Sequence, residues 1–359
     1  MTATIKTSRV TTTEIHNGFP VRNALTQIAQ TARSRILLIT DDNVKRYYND
    51  LLIHFHEGNP SSFELVIPAG ESAKTISTYQ AICDDAIEHG FDRSGVVIAF
   101  GGGVVSDLAG FVAATLLRGV PWFAIPTTVI GAIDAAIGGK TGVNTLQAKN
   151  ALGAFHPPQA VYIDPTLFST LPKRELQAGW GEIAKYGILA GGELWKQITE
   201  TKFDSSPTND LCNACIRQKI AIVEQDPFES GIRKLLNLGH TAGHALEAVT
   251  RYEHLRHGEA VAWGIGVAAE LSQVLLQLPI DTLSKIEQVL QRFMIPPVHV
   301  TPEQVVDALR FDKKRINSQN DWILFHQIGA PEIVKNVPIA IVESIIAKRI
   351  NFLQEGRVA

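Results

Sequence analysis

Five short β-rich runs separated by helix-like runs in the first ~165 residues constrain this chain more than any other feature. The runs are RILLIT at 35–40, SFELVIP at 62–68, GVVIAF at 95–100, WFAIP at 122–126 and AVYID at 160–164. Between them, VKRYYNDLLIHFH, SAKTISTYQAICDDAIEHG and SDLAGFVAATLLRG carry apolar residues at helical spacing. Strands that alternate with helices must lie parallel with helices over both faces, so the pattern predicts an α/β, Rossmann-like doubly wound domain over residues 1–165. After Asp164 the pattern changes, and KRELQAGWGEIAKYGIL, RKLLNLGHTAGHALEAV and GEAVAWGIGVAAELSQVLL all read as helix. Residues 166–359 are therefore expected to form a mostly α-helical domain. One strand in DWILFHQIG and a last helix in VESIIAKRINFLQ would complete it.

With 33 basic and 36 acidic residues, the net charge of -3 offers no surplus to attract a nucleic-acid backbone or an anionic membrane. No stretch approaches the roughly 20 consecutive apolar residues of a membrane span, and the opening MTATIKTSRVTTTEIHNG lacks the apolar core of a secretion signal. The expectation is a cytoplasmic protein acting on small molecules. The three cysteines are an odd number and too few for a disulfide framework; Cys212 and Cys215 form a CxxC inside a helix-like run and are expected to be core or surface thiols rather than metal ligands.

Two constellations carry chemistry. The strand GVVIAF runs into Gly101, Gly102 and Gly103, and a helix is expected to open at about Ser106 and Asp107. Glycines let the backbone approach a pyrophosphate, and a helix start offers unbonded N–H groups to it. The run is not the GxGxxG fingerprint, and a plain tight turn would use the same residues. Thr127 and Thr128, ending another strand, would sit at the same carboxyl edge of the sheet. In the second half, His240 and His244 are four residues apart and share a helical face, His257 follows, and Glu182 lies three residues before Lys185. Three imidazoles and a carboxylate suit Zn²⁺ or a similar ion, with three of the four as ligands; spacing leaves open which three. Lys140, Lys149, Lys185, Lys219, Arg233, Lys313 and Lys314 lie around them in sequence, and Arg233 and Asn237 share a face with His240 and His244. Such cations would suit an anionic, polyhydroxylated substrate.

The ordered motifs GGGVVSDLAGF, IPTT, IDAAIGGKTGVN, KNALGAFHPP, ELQAGWGEIAKYG, GIRKLLNLGHTAGHALE, HGEAVAWG and FDKK resemble those of the 3-dehydroquinate synthase family of sugar phosphate cyclases, from about residue 41 to residue 314. The resemblance implies a dehydroquinate synthase-like fold and conversion of 3-deoxy-D-arabino-heptulosonate 7-phosphate to 3-dehydroquinate and phosphate. It implies transient oxidation by NAD, phosphate elimination, reduction and intramolecular aldol closure, with a divalent metal, Zn or Co. It implies that Glu182, His240 and His257 are the metal ligands and that His244 is an active-site histidine near the leaving phosphate.

The family's NAD site would map to Asp41 and Asn43, to Gly70, Glu71 and Lys74, and to Gly102, Gly103, Val104, Val105, Ser106 and Asp107. Thr127, Thr128, Lys140, Lys149 and Thr170 would complete it. Substrate contacts would fall on Asp134, Asn150, Lys185, Lys219, Arg233, Asn237 and Lys313, which sequence cannot separate from Lys314. Arg118 would reach a phosphate group across a homodimer interface. Ser106 replaces an expected glycine, and as a helix cap would change little. Two rival readings are a sibling cyclase acting on another sugar phosphate and a metal-dependent alcohol or glycerol dehydrogenase; a third is an inactive binding protein on the same scaffold.

Overall fold

A computed structural model describes residues 11–316 and 321–359, with the side chains of 311–316 outside that description. The chain divides into two compact units, the first running to Thr127 and resuming over Ala135–Thr166, the second comprising Thr128–Asp134 and Leu167–Ala359. The second unit thus takes a seven-residue segment from upstream of the boundary expected near residue 165.

The first unit is a six-stranded parallel sheet. Its elements are β1 (Glu14–Asn17), α1 (Val21–Thr31), β2 (Ile36–Asp41), α2 (Asp42–Gly58), β3 (Ser62–Ile67), α3 (Ile76–Glu88), β4 (Val96–Gly101), α4 (Gly103–Thr115) and β5 (Trp122–Pro126). A short antiparallel hairpin, β6 (Lys140–Val143) with β7 (Leu152–Phe155), precedes β8 (Ala160–Ile163). The sheet order is β1-β8-β5-β4-β2-β3, all pairs parallel. β2 and β4 occupy interior positions, and nearly every residue of both is buried, as expected of strands covered on two faces. Asp41 caps α2 through Val44 N–H at 2.9 Å and Thr75 caps α3 through Thr78 N–H at 3.1 Å; each such cap contributes about 1 kcal/mol.

All five expected strands are present. Sequence reading missed β1, too short and polar to show alternation, and the β6–β7 hairpin, whose strands are four residues each and glycine-containing. It also opened the glycine-run helix three residues late. Gly102 is the cap of α4, and Ser106 lies inside the helix at 1% exposure, so it does not act as a cap.

The second unit is helical: α5 (Lys173–Ala190), α6 (Gly192–Glu200), α7 (Asn209–Gln225), α8 (His240–Val249), α9 (His257–Leu276), α10 (Ile280–Leu290), α11 (Pro302–Ile316) and α12 (Ile339–Gln354). The expected single strand is instead a hairpin of β9 (Trp322–Gln327) and β10 (Ala330–Val334), turning at Gly329 with φ +87°. Contrary to the expectation that no stretch approaches a membrane span, α9 is by length and composition alone long and apolar enough to cross a bilayer, yet 78% of its apolar stretch is buried, as in a core helix of this unit. Cys212 and Cys215 are buried on α7, and burial pushes the Cys212 thiol up to about 12, which makes it unreactive.

Candidate functional site

In the first unit, four adjacent strands end on one edge. β5, β4, β2 and β3 deliver Thr127, Gly102, Asp41 and the turn at Gly70 to it. From β2 the chain crosses to β3 on one side and returns to β4 on the other, the switch point at which open α/β sheets bind ligands. Gly102 leads directly into α4, whose first turn (Gly103, Val104, Val105) has no side-chain cap, so its amides face outward from the helix start. A side chain on Gly101 would strike Val105 within 2.5 Å, which explains one glycine of the run. Gly70 has φ +104°, a conformation that only glycine adopts without strain, and it turns the chain into Glu71–Ala73.

Side chains then tie the loops together. Lys74, 3% exposed, bonds Asp107 and the Asn150 carboxamide oxygen. Glu71 accepts from Asn144 at 2.8 Å and lies 3.9 Å from Lys149. Asn150, expected on the substrate side, therefore joins the residues expected to hold the dinucleotide. Its own backbone has φ +52° and its N–H bonds Asn144 at 2.8 Å. Asn43 and Lys140 are exposed, as is Arg118. Asp41 has its carboxyl pushed up by burial, against the hydrogen bonds of its cap.

In the second unit, three helices converge on one carboxylate. Glu182 of α5 is fully buried; one of its oxygens lies 3.5 Å from His240 Nε2 and 3.3 Å from His257 Nε2. Lys185, one turn on, makes an ion pair with its other oxygen. Backbone contact makes this convergence possible: a Cβ on Gly181 would lie 2.1 Å from the Gly258 carbonyl, and one on Gly258 1.7 Å from that of Ala178. Each of those glycines neighbours a residue of the cluster. His240, His244 and His257 can each offer a ring nitrogen, all within 4.8 Å of one another.

Burial would raise the Glu182 carboxyl, but Lys185, His240 and the His257 hydrogen bond outweigh it and bring it to about 2. Burial takes His240 down to about 3, while Glu182 and Glu247 outweigh burial at His257 and lift it to about 10. Apart from Lys185 and the two imidazoles, neither Glu182 oxygen has a hydrogen-bond partner among the described residues. A buried carboxylate so placed, facing two imidazole nitrogens, fits a divalent cation with nitrogen and oxygen ligands such as Zn²⁺ or Co²⁺.

Beside the cluster, Asp134 gathers cations. Lys185 reaches it at 3.2 Å, Tyr186 donates to it at 3.0 Å, and Lys219 bonds both its carboxylate and its carbonyl. These lysines hold the Asp134 carboxyl well below its ordinary range despite burial. Burial, with Lys185 and Arg233 nearby, brings Lys219 down to about 8 in spite of Asp134.

Arg233 is set by a loop folded around Asp226, whose carboxylate accepts from the N–H groups of Ser230, Gly231 and Arg233 at 2.9, 2.6 and 3.1 Å. Asn237 donates to Glu229 at 2.8 Å. Thr128 accepts from Gly131 N–H, and Thr170 bonds Leu167 within a 3₁₀ turn. Lys313 and Lys314 lie outside the residues whose side chains are described. Sequence reasoning missed Glu229 and Glu247. Glu247 was detectable, seven residues after His240 on the same helical face; Glu229 was not, because a left-handed loop residue (φ +59°) brings it to Asn237.

The sequence matches the 3-dehydroquinate synthase N-terminal family over residues 64–178 and its C-terminal family over 179–315. It is 38% identical over 330 residues to the 3-dehydroquinate synthase of Rippkaea orientalis, covering 88% of this chain and 90% of that protein. Among solved structures it is similar to 2-epi-5-epi-valiolone synthase of Streptomyces hygroscopicus with NAD⁺ and Zn²⁺ bound, at a TM-score of 0.84 and 26% identity over 97% of this chain and 100% of that one. It also shares its fold with 2-deoxy-scyllo-inosose synthase complexed with carbaglucose-6-phosphate, NAD⁺ and Co²⁺, at a TM-score of 0.83 and 23% identity over 93% and 96% of the two chains.

Proposed function

The chain belongs to the 3-dehydroquinate synthase family, and from that premise we propose how its residues turn 3-deoxy-D-arabino-heptulosonate 7-phosphate into 3-dehydroquinate and phosphate. The observation that carries the proposal is the buried Glu182 carboxylate opposite His240 Nε2 and His257 Nε2, beside the cations around Asp134. Glu182, His240 and His257 are the ligands of a divalent metal ion, and the α4 start, the Gly70 turn, Lys74, Asp107, Asn150 and the end of β2 hold NAD. When bound, NAD supplies a reversible hydride acceptor and the metal a Lewis acid, acting on the C5 hydroxyl and its neighbours.

Lys185, Lys219, Arg233 and Asn237 bind the anionic groups of the sugar acid and orient it. A ketone at C5 acidifies the C6 proton; that proton passes to the departing phosphate as the C6–H and C7–O bonds break and the C6–C7 double bond forms, which is the lyase step. His244, 56% exposed on the face of α8 that carries His240, stabilises charge on the departing phosphate in this reading. Asp134 is a hub that keeps two lysines in register. Return of C5 to the alcohol, ring opening and an intramolecular aldol closure would then form the carbocycle with no net redox change.

We propose further that the chain works in the cytoplasm as a homodimer, in which the exposed Arg118 serves a partner's phosphate group. Sedimentation of wild type and Arg118→Ala tests the dimer and its coupling to activity. The reaction is tested by following phosphate release from the heptulosonate phosphate with NAD⁺ and Zn²⁺ supplied, with absorbance at the NADH band recorded in parallel. Phosphate release matching dehydroquinate formation, without NADH accumulation and abolished by chelation, is the expected result. Accumulating NADH would identify a dehydrogenase, and absence of phosphate release would point to another sugar phosphate as substrate.

A further inference from the structure

We infer that Glu247 is a positioning residue for the metal site, fixing the tautomer and ring orientation of His257 so that its Nε2 faces Glu182. The inference rests on the proposed ligand set. Glu247 lies on α8 seven residues after His240 and three after His244, on the same helical face, and is 2% exposed. One of its carboxylate oxygens is 3.5 Å from His257 Nδ1 and 4.0 Å from His244 Nε2. The His257 ring therefore lies between two buried carboxylates, Glu247 at Nδ1 and Glu182 at Nε2.

The backbone of His257 is already fixed by other groups. It is the first residue of α9, and Glu259 closes that helix start by accepting from Arg256 N–H at 2.8 Å. Arg174 grips the same carboxylate with two bonds of 2.7 Å each. What remains undetermined is the ring: which nitrogen carries the proton and which faces the cluster. A carboxylate that accepts from Nδ1–H leaves the Nε2 lone pair for a cation and strengthens it as a donor.

His240 gives an internal comparison. Its Nδ1 is 3.1 Å from the Leu238 carbonyl and its Nε2 also faces Glu182. Both imidazoles thus present Nε2 with Nδ1 engaged, His240 by a neutral backbone oxygen and His257 by a charged carboxylate. Burying that charge is costly unless it is paired, so its position against His257 serves the ligand.

The test is Zn²⁺ affinity of the full-length apo protein, measured by competition with a chromophoric chelator, for wild type, Glu247→Ala, Glu247→Gln and His257→Ala, with thermal unfolding alongside. Glu247→Ala is expected to weaken Zn²⁺ binding by about 10- to 100-fold. Glu247→Gln should fall between it and wild type, because the amide oxygen still accepts from Nδ1–H but carries no charge. If both Glu247 variants bind Zn²⁺ within about twofold of wild type while His257→Ala loses it, the positioning role is overturned and the ligand set stands. If His257→Ala binds as wild type does, the ligand set fails and this inference with it. Should Glu247→Ala not fold, the near-isosteric Glu247→Gln decides by the same criterion.

Discussion

The two units build their candidate sites from different materials. In the first, the ligand-facing groups are mostly backbone: a helix start without a side-chain cap at Gly102, a left-handed turn at Gly70, and strand ends on one edge, with Lys74 and Glu71 tying loops together. In the second, they are charged and imidazole side chains from four helices, α5, α7, α8 and α9, with Glu182, Lys185 and Lys219 among them fully or nearly buried. A backbone site is specified by where strands end and helices begin, and it tolerates side-chain change. A side-chain site depends on helix register and on matched buried charge, so losing one member leaves the others uncompensated. Substitutions in the second unit should therefore cost much more than those in the first.

The largest effect is expected for Glu182→Ala. Without the carboxylate, His240, His257 and Lys185 converge with no anion between them, and the variant should lose its metal and at least about 1000-fold in turnover, as for removal of a group on which several others depend. Metal analysis of the purified variant checks this, and full metal content would remove Glu182 from the ligand set. For His244→Ala the expectation is retained metal and turnover lower by about 100-fold. Because His244 lies within reach of the other two imidazoles, the metal content of this variant is the sharper reading. Loss of metal there would make His244 a ligand.

An intermediate effect should follow pH. Lys219 has its folded-state value lowered to about 8 from an ordinary 10.5, so it loses its charge as pH rises through about 8. If that charge binds substrate, kcat/KM should fall about tenfold per pH unit above about 8. Stability should move the other way: between about 8 and 10.5 the unfolded chain holds more protons than the folded one, so stability rises with pH across that window. Lys219→Arg, always charged, should remove the alkaline fall from the activity profile. A fall that persists in this variant belongs to another group.

The same contrast explains what was legible in the sequence. The five apolar strands and the helices between them could be read because buried parallel strands are continuous apolar runs, and the glycine run could be read because backbone approach demands it. The His240–His244 pair was legible because helical spacing alone places both on one face. Which three of Glu182, His240, His244 and His257 act together was not legible from spacing, since the approach of α5 to α9 depends on glycine contacts between helices far apart in sequence. The partners of Asn150 and Glu229 were hidden for a related reason. Both sit at positive φ, and no periodicity reports where such a residue aims its side chain. The β6–β7 hairpin failed as a strand signal because alternation over four residues cannot be distinguished from a loop.

Ser106 gives the smallest expected effect and probes the comparison from the other side. Its hydroxyl is buried inside α4 one turn after the glycine run and bonds no group among the described residues, so it costs desolvation without return from them. If the first unit's site is built from backbone, Ser106→Ala should leave the KM for NAD within about threefold, less than one ordinary hydrogen bond, and should not lower the thermal unfolding midpoint. A rise of tenfold or more in that KM, with unfolding unchanged, would mean that the hydroxyl bonds the dinucleotide. The first unit would then rely on a buried side chain in the way the second does, and the distinction between the two sites would narrow to one of degree.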